Sequence, residues 1–180
     1  EVWLLGLIGR ISIAETSAYL KMSHNLLAAD VSYDRMPLYP LILALIRQVF
    51  GPEVWKIVLF NHAVSAASLY VLYKLVGHCL QRQWALFAAS IYSVDPVSVF
   101  FANGVHAETI FSFLVLTSIY WFMLAVSRNA IGWLILSFLG FGLCILTRPN
   151  AWYFVYLIPC LTAWLFSSGW VHQLKLAIVS

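Results

Sequence analysis

Long, uninterrupted apolar stretches recur through this chain and constrain its fold more than any other feature. A transmembrane helix needs about 20 predominantly apolar residues. The segments that approach this length are Trp55–Gly77, Trp84–Ala102, Thr109–Val126, Ile131–Thr147 and Ala151–Ser167. Lipid offers the backbone no hydrogen-bond partners, so a spanning segment must be a helix or part of a closed barrel. Because the apolar residues run continuously instead of alternating, the sequence predicts an all-α, polytopic transmembrane bundle with about five to six spans.

The composition agrees with a membrane location. Of the 180 residues, 63% are hydrophobic and 9% are charged, whereas a soluble domain has about 25% charged residues. The net charge of +3 is too small to indicate nucleic-acid binding, so we expect no nucleic-acid partner. Cys79, Cys144 and Cys160 lie far apart without the spacing of metal ligands, and they are interpreted as apolar packing residues.

Residues 1–180 are interpreted as a single transmembrane domain. Within it, residues 14–53 are predicted to be an outer loop with interfacial helices, and residues 55–167 to be the helix bundle. The chain begins at Glu1 without a methionine, and its first apolar run stops at Arg10. We therefore expect the N-terminal part of a longer protein.

Three local features predict departures from simple spanning helices. The run Pro37–Phe50 is too short to cross a bilayer and carries Arg47, which favours an amphipathic helix at the interface. Asp95-Pro96 lies inside a predicted span, where the proline should kink the helix and Asp95 should have a structural role. Asn61, within the first long span, is expected to hydrogen-bond a neighbouring helix.

Charges are distributed unevenly between alternate loops. The loops after the first and third long spans, and the tail, carry basic residues and no acid. The acidic residues Glu15, Asp30, Asp34, Glu53 and Glu108 lie in the other loops. By the positive-inside rule, the basic loops face the cytoplasm and the acidic loops face outward.

Ionisable groups near the outer helix ends require an explanation, because charges at membrane depth cost several kcal/mol. Two structural interpretations stay open: Glu108 could interact with a helix dipole, and Arg148 could anchor the chain at the lipid headgroups. The same groups also suit group transfer from an anionic carrier to a hydroxyl. An arginine fork binds phosphate oxygens, and a carboxylate accepts the proton of an incoming alcohol.

Three stretches together resemble the polyprenyl-phosphate-sugar-dependent glycosyltransferases of the GT-C class, in particular the protein-mannosyltransferase-like and aminoarabinose-transferase-like group. They are "ETSAYLKMSHNLLAADVSYDRMPLYPLILALIRQVFG", "NGVHAETIFSFL" and "GFGLCILTRPNAWYFVYLIP". The first resembles the first outer loop of the family, the second its second outer loop, and the third its glycine-rich helix that ends in Thr-Arg-Pro. The match covers nearly the whole chain in the right order.

The resemblance implies an inverting transfer, in which a sugar moves from a polyprenyl-phosphate carrier to a hydroxyl acceptor. Glu15 takes the place of the first-loop acid that is implied to be the catalytic base. Asp30 and Asp34 are the alternatives, each as a base or as a metal ligand. Some relatives use a divalent metal ion and others do not, and no decisive ligand set identifies a metal here.

The implied substrate-binding residues are an arginine pair and three residues that would share its cavity. Arg35 and Arg148 would hold the carrier phosphate. Glu108, Tyr19 and Tyr39 would contribute to the same substrate site.

The sequence is also compatible with two functions other than that of an enzyme. The chain could be a non-catalytic polytopic subunit or transporter fragment whose outer charges only anchor it, or a lipid-binding module that needs arginines and no base. For the enzyme, the expected partners are membrane lipid, the lipid-linked donor and a protein, lipid or glycan acceptor. Sparse loops without an Asn-x-Ser/Thr sequon favour a bacterial plasma membrane, with the active site facing outward.

Overall fold

The computed structural model describes residues 17–24, 36–128 and 130–154, together with positions 156, 160 and 163. Within these ranges every regular element is a helix and no strand occurs, which confirms the predicted all-helical bundle. Residues 17–24 are helical. The elements that follow are α1 (Leu38–Phe50), α2 (Val54–Cys79), α3 (Arg82–Val94), α4 (Pro96–Ala102), α5 (Glu108–Arg128), α6 (Ile131–Thr147) and a 3₁₀ helix (Pro149–Trp152).

Two helices, α2 with 26 residues and α5 with 21, are long and apolar enough to cross a membrane. Helices α3 and α4 together form a third candidate span that is bent by 59°. Helix α6 has the predicted bounds but only 17 residues; at a rise of about 1.5 Å per residue it is shorter than a hydrocarbon core of ~30 Å. The fifth predicted span, Ala151–Ser167, lies largely outside the described residues. The described chain therefore contains two or three candidate spans.

The bend between α3 and α4 follows from the Asp95-Pro96 pair, as predicted. Proline lacks the backbone N–H that would continue α3, but its fixed φ suits the first position of a new helix. The Asp95 carboxylate accepts a hydrogen bond from the Ser98 N–H at 2.8 Å and thereby caps α4. One dipeptide thus ends one helix and begins the next in a different direction.

Helices α5 and α6 pack closely through small residues. The Ser137 hydroxyl on α6 donates to the Ser118 carbonyl on α5 at 2.9 Å, and both side chains are fully buried. Gly140, one turn further along α6, faces the Ser118 side chain. In lipid, where helices gain little from hydrophobic burial against one another, such close approach supplies much of the attraction between them.

A buried cluster joins the first described segments to the turn before α5. Its members come from the helical residues 17–24, from α1 and α2, and from the turn and first residues of α5: Tyr19, Tyr39, Leu43, Ile46, Ile57, Val105, Ala107 and Ile110. Arg47 on α1 donates to the Ser23 hydroxyl at 3.0 Å and to the Leu20 carbonyl at 3.3 Å. These contacts hold the 17–24 segment against α1.

The close contact of α5 and α6 predicts that Gly140→Ala lowers the free energy of unfolding by about 1–3 kcal/mol. The added Cβ would overlap Ser118 Oγ and lie 3.2 Å from Ser118 Cβ. The hydroxyl cannot turn away without losing its 2.6 Å hydrogen bond to the Leu114 carbonyl. Denaturant titration of the full-length protein in micelles measures the change.

Gly142→Ala is the matched control, because a Cβ at Gly142 would meet nothing within 4 Å. Equal stability of the two variants would contradict the proposed packing of α5 against α6.

Candidate functional site

A pocket of about 240 Å³ lies where the α3–α4 bend, the middle of α2 and the first turns of α5 approach the end of α6. Four helix ends therefore meet at this place. The lining residues are Ser65, Tyr92, Val97, Ser98, Phe101, Glu108, Thr109, Phe111, Ser112 and Arg148. One part of the wall is apolar, and the remainder carries hydroxyl groups and two opposite charges.

The two charges form an ion pair between helix ends. Glu108 Oε1 lies 3.3 Å from Arg148 Nη2, and the side chains are 15% and 39% exposed. Glu108 is the first residue of α5, where a carboxylate is favoured by the helix dipole. Arg148 directly follows α6 and precedes Pro149, which begins the 3₁₀ helix. The fold thus brings together two residues that lie forty positions apart in the sequence.

The ion pair does not use all the hydrogen-bonding capacity of its members. Glu108 Oε2 and Thr109 Oγ1 are buried without a hydrogen-bond partner in the described part of the chain. A buried polar atom left unpaired costs about 1–3 kcal/mol. Arg148 has five N–H donors, and its contact with Glu108 is made through Nη2 alone. The pocket can therefore offer donors to an anionic oxygen and an acceptor to a hydroxyl at the same time.

Tyr19 and Tyr39 are not among the residues that line the pocket. Their rings meet edge to face with centroids 5.0 Å apart, and the Tyr39 side chain is fully buried. Burial raises the pKa of Tyr39, and the nearby charge of Glu108 raises it further, although the hydrogen bond from Asn61 opposes the shift. Tyr39 is therefore a neutral hydroxyl at physiological pH.

Four predicted site residues, Glu15, Asp30, Asp34 and Arg35, lie outside the described residues. Their roles as base, metal ligand or phosphate ligand stay predictions. Across residues 17–24, 36–128 and 130–154, no group of three or more His, Cys, Asp or Glu side chains is placed to hold a metal ion. The divalent metal ion considered in the sequence analysis stays a prediction.

The sequence analysis missed the hydroxyl groups of the pocket and the contacts of the turn before α5. Ser65, Ser98 and Ser112 line the pocket, but isolated serines in apolar runs are common in membrane helices. The Asp95-Pro96 break could have predicted the pocket, because a helix that ends inside a span leaves space beside its neighbours. Asn61 does bond to neighbouring segments as predicted, since its amide donates to the Gly104 carbonyl and to the Tyr39 hydroxyl.

An apolar helix bundle with an ion pair in a pocket among its helix ends defines an integral membrane protein with a candidate ligand site. Comparison with known proteins then gives the family. The sequence profile of the family described as dolichyl-phosphate-mannose-protein mannosyltransferase matches residues 34–179. The chain belongs to this family of GT-C membrane glycosyltransferases, which confirms the resemblance drawn from its three motifs.

One curated relative is also similar in sequence. It is a Bacillus subtilis (strain 168) protein named "Putative mannosyltransferase YycA", which is 20% identical over 149 residues. The match covers 79% of this chain and 22% of the relative, so the chain spans about a fifth of the relative's length. No solved structure matches the chain significantly.

The ion pair predicts that Arg148→Gln lowers the free energy of unfolding by about 1–2 kcal/mol. Removing the guanidinium leaves the mostly buried Glu108 carboxylate without its partner. The destabilisation stays below the ~3–5 kcal/mol of a fully buried pair because Arg148 is partly exposed. Denaturant titration in micelles measures the effect.

Arg128→Gln serves as the control, since Arg128 lies over the Trp133 ring at 5.7 Å and ends α5 far from Glu108. If both variants lose the same stability, the Glu108–Arg148 contact contributes nothing specific.

Proposed function

We propose that the protein is an inverting glycosyltransferase that moves a sugar from a polyprenyl-phosphate carrier to a hydroxyl acceptor at the outer face of the membrane. The observation that carries the proposal is the pocket with the Glu108–Arg148 pair. The pocket lies in a member of this glycosyltransferase family and retains unused donors and an unpaired carboxylate oxygen.

Arg148 is proposed to hold the carrier phosphate. A guanidinium keeps its charge at every relevant pH and binds two phosphate oxygens with parallel N–H groups. Its partner Glu108 carries the same charge sign as the phosphate, so the arginine must lie between the two anions. The 39% exposure of the Arg148 side chain leaves room for that second contact.

Glu108 is proposed to orient the sugar. Its Oε2 atom can accept a hydrogen bond from a sugar hydroxyl, which relieves the cost of the unpaired buried oxygen. The pocket volume of about 240 Å³ is below the ~300–1,000 Å³ of sites for drug-sized ligands. This size suits the junction of the sugar and the phosphate, with the remaining part of the donor outside the pocket.

The reaction needs a base, and the family resemblance assigns this role to Glu15, with Asp30 and Asp34 as alternatives. The acceptor oxygen attacks the anomeric carbon as the bond from that carbon to the phosphate oxygen breaks. The acceptor proton goes to the base, and the carrier phosphate leaves with the electron pair. Attack opposite the leaving group inverts the anomeric configuration.

The outward orientation is supported by the distribution of charges along the helices. Glu53 precedes α2 and Glu108 begins α5, so both acids lie at the N-terminal ends of these helices. Lys74 and Arg128 lie near the opposite ends of the same two helices. With basic residues at the cytoplasmic side, the pocket faces outward, in a bacterial plasma membrane by the sequence argument. Protein, lipid and glycan acceptors are all compatible with this placement.

The proposal predicts that the full-length protein in lipid nanodiscs transfers a radiolabelled sugar from at least one donor of a polyprenyl-phosphate sugar panel. Arg148→Gln should lower kcat/KM by about 10²-fold or more, because a donor to a developing phosphate charge is lost. Glu15→Gln should lower kcat by about 10²-fold or more, because the base is lost. Arg128→Gln should transfer at the wild-type rate.

The other outcomes separate the competing functions. If Glu15→Gln transfers like wild type, the base is Asp30 or Asp34. If no donor is used by well-folded protein and Arg148→Gln abolishes donor binding, the chain is a lipid-binding module. If neither transfer nor donor binding is detected, it is a non-catalytic membrane subunit.

A further inference from the structure

A buried amide lies at the junction of α1, α2 and the turn that leads into α5. The Asn61 side chain is fully buried within α2. It donates to the Gly104 carbonyl at 2.7 Å and to the Tyr39 hydroxyl at 3.3 Å. One side chain thus joins three segments that are distant in the sequence.

The Tyr39 hydroxyl supports the same turn. It accepts the hydrogen bond of the Asn61 amide and lies near the backbone of His106. The turn is therefore held at Gly104, four residues before Glu108, by the Asn61 amide of α2, and Tyr39 of α1 accepts a bond from the same amide. We name these four residues, Tyr39, Asn61, Gly104 and His106, the turn clamp.

Close packing fixes the turn further. The buried His106 ring packs against the rings of both Phe100 and Phe101, with centroid distances of 5.6 and 5.5 Å. It also covers Gly104, where an added Cβ would lie 2.5 Å from His106 Cδ2. A glycine is therefore required at this position by the close approach of the ring. The backbone that leads into Glu108 has little freedom to shift.

The hydrogen bonds of Asn61 and Tyr39 hold the turn in addition to its apolar contacts. Val105, Ala107 and Ile110 already anchor the turn in the apolar cluster. Burying an amide and a phenol costs free energy unless each is hydrogen-bonded, and Asn61 Oδ1 stays without a hydrogen-bond partner among the described residues. Directional hydrogen bonds, unlike apolar contacts, set the position of a backbone within a few tenths of an ångström.

We propose that Tyr39 and Asn61 are positioning residues that fix the turn before α5 and thereby place the Glu108 carboxylate against Arg148 in the pocket. The predicted effect of these residues on sugar transfer rests on the proposed function. Tyr39 thus has a role that does not require contact with the substrate. Because Tyr39 also contacts Tyr19, the clamp links the 17–24 segment to the pocket.

The first test measures the placement of Glu108 without any assay of activity. A double-mutant cycle of Glu108→Gln and Arg148→Gln gives the coupling between these residues in the stability of the full-length protein. The same cycle is repeated in a Tyr39→Phe background, which keeps the ring and removes the hydroxyl. We expect the coupling to be lost in Tyr39→Phe.

Ser68→Ala is the matched background for this cycle. Ser68 is a buried polar residue on the same helix as Asn61, but its hydroxyl bonds to the Val64 carbonyl of its own helix. The coupling should persist in this variant. If Tyr39→Phe does not fold, Asn61→Ser replaces it, since the serine hydroxyl can bond within α2 as Ser68 does, and loss of the coupling is again expected.

The second test measures transfer with the donor found active for the wild type. Tyr39→Phe should lower kcat by about tenfold with KM for the donor unchanged, because a displaced group weakens the transition state more than ground-state binding. Ser68→Ala should leave both constants unchanged.

The outcomes are distinct. Coupling that persists in Tyr39→Phe, or in Asn61→Ser where that variant replaces it, overturns the positioning role, as does a kcat of Tyr39→Phe equal to wild type. If the wild type transfers no sugar from any donor, the proposed function fails, while the mutant cycle still decides whether the clamp places Glu108.

Discussion

The cost of holding an ionised carboxylate among apolar helices governs the rest of this structure. Glu108 is mostly buried, and a charge in such a place is tolerated only with a partner. Arg148 is that partner, at 3.3 Å, and the contact ties the first residue of α5 to the residue that follows α6. Because α5 and α6 also pack along their length through Ser118, Ser137 and Gly140, the ion pair closes one end of a rigid helix pair.

The pocket forms because several helices end close to one another. The Asp95-Pro96 pair bends one span and begins a new helix beside α2 and α5. The turn before α5 ends at Glu108, and Arg148-Pro149 terminates α6. In a bundle of straight helices these places would be filled by side chains packed against one another. Here the ends leave a space whose wall carries hydroxyls and both charges.

The sequence predicted the features that depend on local chemistry. The spans α2 and α5 follow from apolar length, and the bend follows from a proline that cannot continue a helix. Glu108 and Arg148 were selected separately because each lies at a helix end after or before a turn. Their contact with each other and the clamp on Gly104 depend on how helices pack, which periodicity does not encode. Among the described residues, α6 is apolar but has only 17 residues, and the fifth predicted span lies largely outside them.

Binding of the lipid carrier tests the central claim most directly. A cryo-electron microscopy structure of the full-length protein in nanodiscs with a polyprenyl phosphate would locate the phosphate group. Our account predicts the phosphate in the pocket of Glu108 and Arg148, with its oxygens within hydrogen-bond distance of the Arg148 guanidinium. A phosphate bound elsewhere on the bundle, with the Glu108–Arg148 pair intact and the pocket empty, would contradict it.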